Sequence, residues 1–304
     1  MTYRKLLPIL GIAIWAAVAL TAALHARPHL RDLRAAHSAA GQEPPVAADC
    51  SDLRIHFGHG EAIIRSEERS ITKTEAPTLR VHAEPNGGIQ IEGWEKDTYS
   101  VTLCKAAEAG SDAESILSGI HLTFQNGELG VSGPGSRNRW SAHLLIRAPK
   151  AVSLDLQVHN GPLSLSSVDG NLRVRADNGP VTISNCTGEL DLSSHNGPVT
   201  LEGNSGRQNV HSENGPMTVT LRGESWSGPG LEAHATNGPV NLQIPSGYKS
   251  GVVLESDGPG PFRCSAHVCS EGRKTWDDDR KRIEFGSGPT VVRVSTVNGP
   301  VSVD

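Results

Sequence analysis

The tripeptide Asn-Gly-Pro recurs in this chain at a fixed interval, and this interval constrains the fold more than any other feature. The tripeptide begins at Asn160, Asn178, Asn196 and Asn214, each 18 residues after the last, and it returns at Asn237 and Asn298. A strict period is typical of a chain built from stacked copies of one small unit. The repeat therefore has to be interpreted before any single residue.

Alignment of the repeats produces columns of apolar residues. One column contains Leu163, Val181, Val199 and Met217, and a second, two residues later, contains Leu165, Ile183, Leu201 and Val219. The residue between them is always Ser or Thr, and such alternation indicates a strand with one buried face. A second strand is predicted before each tripeptide, with Leu154, Leu172, Leu190 and Gln208 among its inward residues.

Glycine and asparagine recur between these strands, where they suit sharp corners because they tolerate positive φ. Two strands and two corners in 18 residues would also suit a meander of hairpins in a sandwich. A meander gives no reason for residues 18 apart to match, whereas a coil stacked on its own copy does. We therefore predict an all-β fold, a parallel β-helix or β-solenoid with coils of about 18 residues.

Stacked coils would bring the repeated Asn side chains close together, because each coil rises by about 4.8 Å. Amides at that spacing can bond to one another along the stack. The sequence thus predicts a structural corner ladder made of Asn160, Asn178, Asn196, Asn214, Asn237 and Asn298.

Four regions follow from the composition along the chain. Leu6 to Leu24 is an uncharged run after Arg4 and Lys5, so residues 1–27 are predicted to be a signal peptide or a membrane anchor, with both alternatives open. Residues 28–49 are predicted to be a linker, and 50–148 an irregular β cap or first coils. Residues 149–304 form the predicted repeat region, interrupted by a charged loop or hairpin from Glu271 to Arg282.

The five cysteines favour an oxidising compartment, since the chain carries an export signal. The predicted disulfides involve Cys50, Cys104, Cys264 and Cys269, while Cys186 is predicted to be a partly buried thiol. Cys264, His267 and Cys269 could instead supply three metal ligands, but zinc requires a fourth. No metal site and no cofactor are predicted.

Composition and motifs exclude several functions. With a formal net charge of -5, the chain lacks the excess of Lys and Arg that nucleic-acid binding requires. An aromatic content of 4 % with 33 Gly argues against an enzyme with a large core. The run Asp277 to Asp279 is the main acidic cluster, and beside Arg280 to Arg282 it is typical of a solvated turn. We predict that the chain is not an enzyme.

The residues immediately before the corner Asn alternate between base and acid: His159, Asp177, His195 and Glu213. Protonated imidazole pairs with carboxylate, so these residues predict a pH-sensitive edge that is stronger at pH 6 than at pH 8. The alternative is an exposed corner of mixed charges that contributes little. The Ser164, Thr182, Thr200 and Thr218 column resembles hydroxyl arrays that bind ice or glycans, although strand preference for hydroxyl residues also explains it.

The x-Asn-Gly-Pro-Val-Thr-Ile pattern, the Gly-x-Leu-x-Leu strand and the run from Gly286 to Val303 resemble a known family. This is the bacterial adhesin-like, β-strand-repeat domain family of unknown function, found in exported or membrane-anchored envelope proteins. The resemblance covers roughly residues 80 to 304. It implies a β-helix-like fold and an adhesin-type role, with no catalytic motif. The chain departs from the commonest family form, which has Ser-Gly-Asp or Asn-Gly-Asp where this chain has Asn-Gly-Pro.

The resulting prediction is an exported, envelope-associated, non-enzymatic β-solenoid that acts as a structural or ligand-presenting surface. Glycans or other envelope proteins are its predicted partners, with the membrane contacted through the N-terminal segment. The alternative is a membrane-tethered accessory or sensor protein in envelope stress signalling.

Mass spectrometry of the mature N-terminus separates these two predictions. A tethered accessory protein is expected to keep its N-terminus intact, because residues 6–24 would remain in the membrane. A released adhesin is expected to begin near residues 24–27, after cleavage of the signal peptide.

Overall fold

The computed structural model describes residues 47–57, 60–83, 86–135, 139–258, 260–277 and 280–304. The predicted signal peptide or anchor, and the predicted linker up to residue 46, lie outside the described residues. Residues Ala47–Asp304 form one compact unit. In the part of the chain that the structure describes, no helix has the length and apolar character needed to cross a membrane.

Strands make up most of the regular structure in the described residues, which confirms the predicted all-β class. In chain order the strands are β1 (Ala62–Thr72), β2 (Thr78–Ala83), β3 (Ile89–Trp94), β4 (Thr98–Glu108), β5 (His121–Gln125), β6 (Glu128–Ser132), β7 (Trp140–Pro149), β8 (Ser153–Asn160), β9 (Leu163–Ser166), β10 (Asp169–Asn178), β11 (Val181–Ser184), β12 (Thr187–Asn196), β13 (Val199–Glu202), β14 (Arg207–Asn214), β15 (Met217–Thr220), β16 (Gly230–Asn237), β17 (Val240–Gln243), β18 (Gly251–Ser256), β19 (Phe262–Cys264), β20 (Arg273–Trp276), β21 (Lys281–Phe285), β22 (Thr290–Asn298) and β23 (Val301–Val303). The helix α1 spans Ala113–Ser118, and short 3₁₀ turns span Cys50–Asp52 and His267–Ser270.

These strands form two large sheets. The first sheet has the order β1-β4-β7-β3-β9-β11-β13-β15-β17-β23-β19, and the second has the order β20-β21-β18-β22-β16-β14-β12-β10-β8-β2-β6-β5. Both sheets are mixed. The strands of the repeats pair in parallel, whereas β1, β4 and β7, β5 and β6, and β18, β21 and β20 pair antiparallel. Antiparallel strands therefore border the parallel repeats at both ends.

The parallel pairing aligns residues that are one repeat apart. In the first sheet Leu163 pairs with Val181, Val181 with Val199, and Val199 with Met217. In the second sheet Leu154 pairs with Leu172 in the same way. Each column of the sequence alignment is therefore a physical column that runs from strand to strand.

The order of strands departs from the sequence-based expectation after Asn237. A regular series of repeats would place the next strand of the chain, β18, beside β16, but β22 lies next to β16, and β18 lies beyond β22. Asn237 is consequently paired with Asn298, 61 residues later. The reason is that only residues 298–300 repeat the full Asn-Gly-Pro corner, which can pack on the corner at 237–239.

The inward columns of both sheets form one continuous core. Leu163, Leu172, Val181 and Leu190 are each at most 2 % exposed. Gln208 occupies the predicted inward position and is also 2 % exposed, with its Nε2 donating to the Ser205 carbonyl oxygen at 2.7 Å. The core residues come from all the repeats and from both flanks, so no boundary in the packing separates the repeats from the flanks.

Glycine is required at the corners because neighbouring repeats approach very closely there. The φ of Gly197 is +130°, and a Cβ on this residue would lie 2.3 Å from the carbonyl oxygen of Gly179. Both Gly and Asn were expected to tolerate positive φ at the corners. In the corner tripeptide a glycine such as Gly197 takes positive φ, whereas the Asn does not, because it is the last residue of its strand. The following proline lacks an N–H, and its carbonyl accepts a ladder bond, as from Val181 N to Pro198 O at 2.9 Å.

The N-terminal flank contains strands that the sequence analysis did not predict. β1 was missed because its centre, Arg65 to Arg69, is strongly charged. It pairs with β4 along its whole length, and Lys105 of β4 holds Glu67 in its centre, with Nζ 3.2 Å from Oε2. Residues 53–57, although they open the predicted β cap, form no strand and show only an isolated bridge between Phe57 and Gly60.

Replacement of Gly197 by alanine is expected to destabilise the protein by about 3 kcal/mol, because strained φ and a backbone clash act together. Gly247→Ala separates the two effects, since Gly247 has φ +77° but open space around it, and about 1–2 kcal/mol is expected. Gly135→Ala is the control, because no heavy atom lies within 4 Å and its φ is not strained. The urea unfolding midpoint is expected to be lowest for Gly197→Ala, intermediate for Gly247→Ala and highest for Gly135→Ala. Equal midpoints for Gly197→Ala and Gly135→Ala would contradict the proposed close contact.

Candidate functional site

The Asn side chains at the corners form a continuous hydrogen-bonded chain along one edge of the stack. In five of the six residues Nδ2 donates to the Oδ1 of the corner Asn in the preceding repeat, at 3.0–3.2 Å, whereas Asn160 only accepts. The structure brings together the six residues of the predicted ladder, Asn160, Asn178, Asn196, Asn214, Asn237 and Asn298. The inner Asn residues each donate one hydrogen bond and accept one along the ladder.

The base and acid residues beside the ladder form two separate pairs. His159 Nδ1 lies 2.6 Å from Asp177 Oδ2, and His195 Nδ1 contacts the carboxylate of Glu213. All four side chains are about half exposed, so each pair is expected to contribute no more than about 1 kcal/mol. The pH sensitivity of this edge stays a prediction.

A third pair of the same type lies next to these two, and sequence reasoning missed it. His82 Nδ1 is 3.5 Å from Glu128 Oε1, across the parallel pairing of β2 with β6. Glu128 was missed because β6 was not predicted as a strand. The alternation of Leu129 and Val131 could have predicted the strand β6 from the sequence. It could not have identified His82, which is distant in the sequence, as the partner of Glu128.

His82, Glu128, His159 and Asp177 line one open cleft of about 450 Å³, together with Thr123 and Gln157. The cleft thus holds two imidazoles, two carboxylates, one hydroxyl and one amide. These groups can donate and accept hydrogen bonds at several points, and Ala83 and Val131 add apolar surface beside them. Such a lining suits a polar ligand, above all one rich in hydroxyl groups.

The outer face of the second sheet carries charges of alternating sign. The column that begins at Arg80 continues through Asp155, Arg173 and Asp191. Arg175 Nη1 also lies 3.6 Å from Asp155 Oδ1. Opposite charges on successive strands neutralise one another, so this face presents no large field of one sign.

Two histidines stack on the same face farther along. The rings of His211 and His234 have centroids 5.5 Å apart and planes within 10°. Burial lowers the pKa of His234, and the neighbouring His211 lowers it further. His234 Nδ1 is 2.9 Å from the Ser295 hydroxyl oxygen. His234 is therefore suited to a neutral hydrogen-bonding role near pH 7.

One outward column of the first sheet carries uncharged polar groups. The predicted column of Ser164, Thr182, Thr200 and Thr218 is in register and partly exposed, and it continues at Asn241 and Ser302. Ser302 donates to the Asn241 side-chain oxygen at 3.0 Å. This column of the first sheet is thus neutral and rich in hydroxyl groups, whereas the column that begins at Arg80 on the second sheet is charged.

The cysteines are paired as two disulfides and one buried thiol. Cys50 is bonded to Cys104, and Cys264 to Cys269. The second bond uses both thiols that the alternative metal site would need. Burial raises the pKa of Cys186 to about 11, so this thiol stays protonated. Among the described residues no group of three or more His, Cys, Asp or Glu is arranged to hold a metal ion.

Comparison with known proteins adds no family. No protein-family model and no curated protein match the sequence. Solved structures with partial likeness include a proposed cell adhesion protein of Clostridium sporogenes, with 11 % identity, coverage of 79 % of this chain and 99 % of that chain, and a TM-score of 0.31. A proposed adhesin of Parabacteroides merdae has 12 % identity, coverage of 79 % and 96 %, and a TM-score of 0.33.

A third solved structure, a proposed lipid-binding protein of Parabacteroides distasonis, has 8 % identity, coverage of 81 % and 98 %, and a TM-score of 0.30. Scores and identities at this level establish neither the fold nor the function of this chain. The resemblance to the adhesin-like repeat family therefore stays a prediction.

Replacement of Asn196 by alanine is expected to cost about 2 kcal/mol, because it removes two ladder bonds and leaves the amides of Asn178 and Asn214 without them. Asn298→Ala is the matched variant at the end of the chain of amides, where only one ladder bond is lost, and about 1 kcal/mol is expected. Urea unfolding of both variants measures the difference. A midpoint for Asn196→Ala that equals the wild-type value would show that the ladder adds no stability.

Proposed function

We propose that this protein is a non-enzymatic, adhesin-like surface protein of the cell envelope that presents ligand-binding groups on a β-solenoid. The observation that carries the proposal is the common register of the repeats. It aligns Leu163 with Val181 and Thr182 with Thr200, and it places the outward polar groups in straight columns. Groups repeated at the strand spacing of about 4.8 Å suit an extended polymer better than a small compact molecule.

Glycans are the partner that the polar surfaces favour, with envelope proteins as the alternative. The hydroxyl column from Ser164 to Ser302 and the cleft around His159 both offer neutral or balanced hydrogen-bonding groups. Neither surface has the positive excess needed for nucleic acid. The disulfides support export, since such bonds persist in oxidising compartments.

The cleft is also where an enzyme would have to act. Glu128 and Asp177 line it together, and glycoside hydrolases place two carboxylates on one cleft. In this protein each carboxylate is engaged by an imidazole, from His82 and His159. Each imidazole and its carboxylate together offer a ligand a hydrogen-bond donor and an acceptor, which supports a binding role.

A glycan array incubated with the full chain tests the proposal. Binding to at least one class of polysaccharide without release of products is expected. Asp177→Asn serves as a probe of the cleft, because it keeps the shape but removes the charge that pairs with His159. Appearance of hydrolysis products that Asp177→Asn abolishes would overturn the non-enzymatic proposal. Absence of binding to every glycan would overturn the choice of partner.

A further inference from the structure

The chain between β18 and β22 leaves the parallel repeat and builds a separate insert from residue 257 to residue 289. The insert contains β19, the 3₁₀ turn at His267–Ser270 and the hairpin of β20 and β21. It supplies the last strand of each sheet, because β19 ends the first sheet and β20 ends the second. The disulfide from Cys264 to Cys269 closes the loop directly after β19.

Ion pairs fix the hairpin of this insert to the body of the second sheet. Arg280 Nη2 lies 3.0 Å from Glu255 Oε2, and Arg282 pairs with both Glu255 and Glu284. Glu284 also pairs with Arg273. Hydrogen bonds from Arg273, and to a smaller extent from Arg282, hold the pKa of Glu284 below its usual range. The hairpin is thereby held in one conformation, which lowers the entropy cost of binding a ligand.

One large apolar side chain stands out on this hairpin. Trp276 is 53 % exposed, and among the described residues it is the only large hydrophobic side chain that is exposed to this degree. Its ring lies 5.9 Å from that of Phe262 on β19, at an interplanar angle of 46°. The two aromatic rings therefore meet where the edges of the two sheets come together.

We propose that Trp276 and Phe262 form a stacking platform for a sugar ring of a glycan, an inference that rests on the proposed function. The C–H groups on one face of a pyranose ring pack against an indole, and its hydroxyl groups stay free for polar contacts. Lys274 lies two residues before Trp276 on β20, so both side chains lie on the same side of the strand. Lys274 has no ion-pair or hydrogen-bond partner among the described residues, and its ammonium group can donate to a sugar hydroxyl.

The surroundings of Trp276 favour a glycan over a protein or a membrane. A stable protein interface buries about 800 Å² on each partner, whereas one tryptophan buries about 150–250 Å². The exposed apolar surface is therefore too small for a protein partner. The sequence from Arg273 to Glu284 contains five basic and four acidic residues, a net charge of +1, so it offers little attraction to an anionic lipid surface.

Retention of the full chain on insoluble cellulose, chitin and peptidoglycan tests this platform. The wild-type protein is expected to bind at least one of the three. Trp276→Ala is expected to weaken that binding at least tenfold, and Trp276→Phe, which keeps an aromatic ring, only about threefold. Trp94→Ala is the matched control, because Trp94 is partly exposed on β3 and makes its own bond to the Thr98 carbonyl oxygen, and no change is expected.

The outcomes separate the platform from the general proposal. Unchanged binding by Trp276→Ala overturns the platform and leaves an adhesin-like function intact. Absence of wild-type binding to all three polysaccharides overturns the platform, and the glycan array then decides the general function. Thermal unfolding establishes that each variant is folded. If Trp276→Ala does not fold, Trp276→Phe and Lys274→Ala provide the test, and wild-type binding by both overturns the inference.

Discussion

The close contact between glycines at the corners is the constraint on which the rest of the structure depends. Each corner glycine from Gly161 to Gly299 lies so near the preceding coil that a Cβ would come within 2.0–2.3 Å of a backbone carbonyl oxygen. Its backbone N–H donates to the backbone carbonyl oxygen of the corner Asn in the next repeat, as from Gly179 to Asn196 at 2.9 Å. Because every coil turns at the same place and spacing, the strands on either side can only pair in one register.

This register is what turns a repeated sequence into an ordered surface. A slip by one residue would exchange the buried and exposed faces, so Leu165 and its neighbours would leave the core and Ser164 would enter it. The contact between the corner glycines prevents such a slip. The outward columns therefore have the same spacing as the corners. Surface groups that contribute little to stability, such as the His159 and Asp177 pair, are thereby held at fixed positions.

The sequence was sufficient to predict the repeat strands, the inward columns and the six Asn residues of the ladder, because each rests on a local pattern of fixed period. It was insufficient where position depends on distant pairing. The pairing of β16 with β22 and that of β2 with β6 join residues that no local pattern connects. The pair of His82 and Glu128 was missed for this reason. The corner at Asn86 and Gly87, which packs against Gly161, was missed because its third residue is glycine instead of proline.

The division between repeat and insert also bears on where specificity can arise. Repeated coils present similar groups on every strand, so a ligand bound there can shift by one coil and regain most of its contacts. The insert that carries Trp276 occurs once in the described chain and is fixed by the Cys264 to Cys269 disulfide and the Glu255 ion pairs. A ligand that reaches from the columns to this insert loses that freedom to shift. For the proposed glycan ligand, the uniform repeats and the single insert together would therefore define one binding position, which neither of them provides alone.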